Sequence, residues 1–130
     1  MIPRFRAYDG GSLCRMYSPE EVMVSNGDIW IIDEDGVAGE WIVNNDLILM
    51  QSTGLTDKNG KEIFEGDIIG TKDGLLNGVV KFNIDLGMWT NSLFRYNNFE
   101  RLCNVANSRE IIGNIWEDGE LLDGENTEEN

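Results

Sequence analysis

The sequence predicts an all-β protein, a meander of short strands with at most one or two short helices. Three observations carry this prediction. Glycine beside Asn or Asp recurs at close intervals, at Asp9-Gly10-Gly11, Asn26-Gly27, Asp35-Gly36, Asn59-Gly60, Gly66-Asp67 and Asp73-Gly74. Such pairs accept the backbone of tight reversals. Between them lie short runs rich in Val, Ile, Phe, Tyr and Trp, residues that suit a pleated, half-buried surface. Apolar residues show only weak helical periodicity.

In order along the chain, Phe5 and Ala7 alternate with Arg4 and Arg6, so the first strand should have an apolar and a basic face. Paired with Leu13–Tyr17, it would gather Arg4, Arg6 and Arg15 with Tyr8 and Tyr17. Asn26-Gly27 is a two-residue hairpin signal that sets Val24 opposite Ile29 and Met23 opposite Trp30. A second hairpin turns at Asp33–Gly36 and returns through Glu40–Val43. Leu47–Met50 is a continuous apolar run, read as a strand buried on both faces. Strands are expected at Glu62–Phe64 and Asp67–Ile69. Val80, Phe82 and Ile84 alternate with Lys81, Asn83 and Asp85, the clearest half-buried strand in the chain. Met88–Tyr96 supplies one or two strands, Asn98–Ala106 a short helix with Phe99, Leu102 and Cys103 on one face, and Glu110–Trp116 the closing strand.

At 130 residues the chain is one domain or two small lobes sharing a core. The expected division is an N-terminal β lobe at 1–61, an SH3-like β lobe at 62–117 packed on it as one unit, and an acidic, disordered tail at 118–130. The net charge is −14. Seven acids and no base lie from Glu117 to Asn130, so half of that charge sits in this C-terminal stretch. The rest of the chain shows no basic footprint for nucleic acid. Cys14 and Cys103 stand far apart in a chain without histidine, which leaves an uncommon ligand set for zinc. They are read as free, buried thiols, with a disulfide between them as the alternative. No apolar stretch is long enough for a signal peptide or a membrane span, so a cytoplasmic location is expected.

No constellation of catalytic residues stands out. Asp33, Glu34 and Asp35 read as a solvated hairpin tip, because the spacing of a calcium loop is missing. In Asp57-Lys58-Asn59-Gly60 a third oxygen ligand would fall at Lys61, so a tight turn accounts for these residues. Ser52-Thr53-Gly54 has one glycine and no histidine to serve as base. Glu65-Gly66-Asp67 reads as a turn in which Asp67 bonds backbone amides. No catalytic residue, metal ligand or cofactor is assigned. The residues singled out for interaction are Arg4, Arg6, Arg15, Trp30, Trp41 and Trp89, since exposed tryptophans favour interfaces.

Three segments together resemble the YopX family of small phage and prophage proteins: Ile2–Asp9 (IPRFRAYD), Leu47–Asp67 (LILMQSTGLTDKNGKEIFEGD) and Ile111–Glu117 (IIGNIWE). The resemblance covers nearly the whole chain and is weakest over residues 70–108. It implies a bacterial host cell and a phage setting, with no agreed biochemical activity. The leading functional reading is a non-catalytic protein-interaction module that acts as an oligomer, with itself or with a host or phage protein as partner. One alternative is an acidic DNA mimic that inhibits a host nucleic-acid-binding protein. Another is weak nucleic-acid binding by the SH3-like half through Lys72, Lys81, Arg95 and Arg101, which the overall negative potential opposes. An enzyme using carboxylates alone has no residue pattern behind it.

Overall fold

The computed structural model describes residues 3–11, 13–33 and 39–119. It is all-β, as predicted, with one four-residue α-helix among the described residues. The chain divides into two compact units, Met1–Ser52 and Thr53–Asn130. The first holds β1 (Phe5–Asp9), β2 (Arg15–Tyr17), β3 (Val22–Ser25), β4 (Asp28–Ile32), β5 (Trp41–Val43) and the leading half of β6 (Ile48–Thr56).

In the first unit β1 pairs with β2, Ala7 opposite Tyr17, and with β6, Ala7 opposite Leu49. Period-two alternation then sends Phe5, Ala7, Tyr17 and Leu49 to one face. There they pack with Val22, Ile29, Ile31 and Leu47. The predicted hairpin is present in its predicted register, Val24 opposite Ile29 and Met23 opposite Trp30. Its turn residues Asn26 and Gly27 have φ of 54° and 81°, the left-handed pair that a type I′ turn requires. β5 returns beside β4 with Trp41 opposite Ile32. Most of the turn expected at Asp33–Gly36 lies outside the described residues, as does the acidic tail beyond Gly119.

The second unit continues with β7 (Glu62–Phe64), β8 (Asp67–Gly70), β9 (Gly78–Asn83), β10 (Met88–Leu93), β11 (Phe99–Arg101), α1 (Leu102–Val105) and β12 (Glu110–Asn114). β8 to β11 run as a meander, and β12 comes back to pair with β8, giving the order β11-β10-β9-β8-β12. Ile63, Ile69, Val80, Leu102 and Ala106 form the core, with Leu55, Trp89 and Ile111 against it. Asn91 is fully buried on the same face and donates from Nδ2 to Glu100 Oε1 at 3.0 Å. Glu100 in turn pairs with Arg109, both side chains being at most 15% exposed.

Four sequence expectations need correction. Leu47–Met50 is buried on both faces at one end only: Leu47 and Leu49 face the core, while on the opposite face, which Ile48 and Met50 share, Met50 is 2% exposed but Ile48 37%. The half-buried strand at Val80–Ile84 ends early. Val80 is buried, Phe82 is 46% exposed, and Ile84 lies in the β9–β10 turn at 85%. The helix expected at Asn98–Ala106 contracts to Leu102–Val105, because Phe99–Arg101 is taken up by pairing with β10. Cys14 and Cys103 are free, but both are exposed. Cys14 directly precedes β2 with φ of 48°, and Cys103 lies on the outer side of α1, away from buried Leu102.

Candidate functional site

The continuous apolar runs in β3, β4 and β5 present apolar side chains to both faces of their three-stranded sheet. One face carries Val22, Ile29 and Ile31 into the core of the first unit. On the other face the registers set Met23, Trp30 and Val43 in a row across the strands, and Ile32 beside Trp41 in the next row. Met23 and Val43 are 42% and 44% exposed. Trp30, Ile32 and Trp41 are half-buried. The one charged strand residue on this face is Asp28, whose carboxylate accepts a hydrogen bond from Asn45 Nδ2 at 2.9 Å. Five large apolar side chains thus form a nearly uncharged patch, bounded by the outer strands β3 and β5.

Trp30 and Trp41 therefore share one surface, as Trp89 does not. Trp89 packs on the core of the second unit and meets the Phe82 ring edge-on, with centroids 5.2 Å apart. The three arginines do not form a basic patch. Arg15 stands opposite Asp9, on the face of Phe5 and Ala7, while Arg6 points to the other face with Tyr8. Each has its own partner nearby. Arg4 pairs with Glu20 at 3.5 Å, and Arg15 pairs with Glu21 and lies over the Tyr17 ring at 4.4 Å. Arg6 Nε approaches Met50 Sδ at 3.4 Å. The amide of Ser18 holds the Glu21 carboxyl below its ordinary value against its burial, with Ser18 hydroxyl and Arg15 assisting.

The polar residues weighed for chemistry are occupied by the backbone. Thr53 Oγ1 donates to the Ile63 carbonyl at 2.8 Å and accepts from the Leu55 amide. Asp67 accepts from the Phe64 amide at 2.8 Å, as its turn position predicts. Asp57, 3% exposed, accepts from the amides of Asn59, Lys61 and Ile111. Among the described residues no three potential metal ligands cluster. Also among them, no helix is long and apolar enough to cross a membrane.

Sequence reasoning missed Met23, Ile32 and Val43. Their signal was present in the unbroken runs Val22–Val24, Ile29–Ile32 and Trp41–Val43. A strand with one wet face alternates, whereas these do not.

The chain is similar to solved structures. Protein EF1440 from Enterococcus faecalis is 26% identical, with a TM-score of 0.62 over 94% of this chain and 99% of that one. Protein yopX from Bacillus subtilis shares the fold at 18% identity, with a TM-score of 0.55 over 91% of this chain and 96% of that one. No curated protein matches the chain. The family model of the YopX protein matches residues 4–123, and the chain belongs to the YopX family.

Proposed function

We propose that the chain is a non-catalytic interaction module of phage or prophage origin, working as an oligomer through the outer face of β3–β5. The observation behind this reading is the patch of Met23, Trp30, Ile32, Trp41 and Val43. Contiguous apolar surface with a polar surround marks interaction sites, and tryptophans dominate the energetics of such surfaces. At roughly 25 cal/mol per Å², covering the exposed part of Met23 or Val43 contributes about 1–2 kcal/mol each. A second copy is the partner of choice, because a nearly uncharged face is where two strongly acidic chains can meet without repulsion. The strand order of the five-stranded sheet also supports reading that part as an SH3-like barrel half.

The experiment is the molar mass of the full chain in solution by light scattering, with Trp41→Glu and Val43→Lys as variants. The expected result is an assembly larger than the 14.7 kDa chain that both variants reduce to single chains with unchanged circular dichroism. A wild-type chain that stays monomeric at high concentration overturns self-association.

A further inference from the structure

The other face of the second unit carries a feature of different chemistry. Thr90 stands directly opposite Lys81 on one side and Arg101 on the other. The three side chains therefore leave the same face of the sheet in one row. In the next row Ser92 stands opposite Phe99. With the Ile84-Asp85 turn along one side and the Asn97-Asn98 loop along the other, these residues line an open groove of about 590 Å³. Arg101 stands at its border. Thr90, 3% exposed, lies at its base and donates from Oγ1 to the Lys81 carbonyl.

The charges here are unusual for this chain. It has 24 acids for 10 bases, and four of the other eight cations pair with carboxylates: Arg4 with Glu20, Arg15 with Glu21, Lys58 with Glu110 and Arg109 with Glu100. Lys81 and Arg101 stand on either side of Thr90, both exposed. Neither is in an ion pair among the described residues, although Asp85 lines the same groove. Directly opposed strand residues have Cβ atoms about 5 Å apart, so the two cations rise roughly 10 Å from each other with a hydroxyl between them. Phe99, 38% exposed, adds an accessible ring in the adjoining row.

We propose that this groove binds a single-stranded nucleic acid. Lys81 and Arg101 hold phosphates, Phe99 gives a base a face to stack on, and Ser92 and Asn97 offer hydrogen bonds to sugar or base edges. Aromatic stacking requires bases that are not paired, and it is tolerant of sequence. Two cations are too few to track a duplex. The net negative charge of the chain weakens binding without abolishing it, because carboxylates more than about 10 Å away are screened at 0.1 M salt. This inference is independent of the β3–β5 face, since it uses another unit and other residues.

The test is fluorescence anisotropy of a short labelled oligothymidylate titrated with the full chain at about 0.1 M salt, where distant carboxylates are screened, and then at rising salt. A duplex of equal length and polyglutamate serve as competitors. The single strand should bind and its affinity should fall with salt at a logarithmic slope of about −1.4, the value for two neutralised phosphates. Lys81→Ala with Arg101→Ala should weaken binding at least about tenfold. Phe99→Ala should weaken it roughly 5- to 100-fold, the range for one stacked base. Lys58→Ala, a charge change outside the groove, should leave it unaltered. Absence of single-strand binding, an equal loss in Lys58→Ala, or displacement by duplex as readily as by single strand would overturn the proposal. Displacement by polyglutamate at equal charge would overturn it in favour of an acidic peptide.

Discussion

The Asp57 carboxylate accepts a hydrogen bond from the backbone amide of Ile111, 54 residues further along the chain, at 3.0 Å. Its other oxygen accepts from the amides of Asn59 and Lys61 at 2.8 and 2.9 Å. One side chain thus shapes the turn after β6 and ties it to the last strand. Burial pushes this carboxyl up. The amides of Ile111, Lys61 and Asn59, with the charge of Lys61, outweigh that and leave it below its ordinary value of 3.8.

Asp57→Asn keeps one acceptor oxygen and turns an N–H toward an amide that needs an acceptor. The expected loss is about 2–4 kcal/mol by urea denaturation. The sign of the pH effect follows from the lowered folded-state value. The stabilisation is complete above the unfolded value near 3.8 and is lost as pH falls through the folded one. The acid limb of a stability–pH profile should therefore be shallower in the variant than in the wild type.

Gly78 is required by close approach. A Cβ there would lie 2.4 Å from Asn91 Oδ1 and 2.4 Å from the Ser92 carbonyl oxygen. Asn91 is fully buried, and Ser92 O belongs to a paired strand, so neither moves away cheaply. Gly78→Ala should cost about 3 kcal/mol, read in a thermal melt as a fall of roughly 10 °C.

Two ion pairs of the second unit should respond differently to loss of their acid. Glu100 and Arg109 are 15% and 11% exposed, whereas Glu110 and Lys58 are 45% and 41% exposed. Glu100→Gln leaves a guanidinium buried without its counter-charge and should cost about 3–5 kcal/mol. Glu110→Gln should cost less than about 1 kcal/mol. Similar losses from both in a denaturant titration would show that burial does not decide the strength of these pairs.

Ile84 and Val80 lie on one parity of the same sequence pattern but in different surroundings. Val80→Ala removes methyls from a closed core and should cost about 2 kcal/mol. Ile84→Ser alters a side chain 85% exposed and should stay within about 0.5 kcal/mol of wild type.

Among the described residues, the reversals, the first hairpin with its register and the all-β architecture were legible in the amino-acid order alone. Each rests on a preference acting over a few residues. Asn26-Gly27 accepts positive φ cheaply, and once that turn is set, Val24 has to face Ile29. The site was legible in part: Trp30 and Trp41 stood out as residues, but not as members of one surface. What tertiary structure decided was which side of each strand is covered and what each charge meets. Arg15 finds Glu21 across a turn, Asp57 finds Ile111 from the far end of its unit, and Ile84 passes beyond the last covered rung of its strand. Burial and ion pairing depend on atoms brought near by distant segments, and a local pattern holds no record of those neighbours.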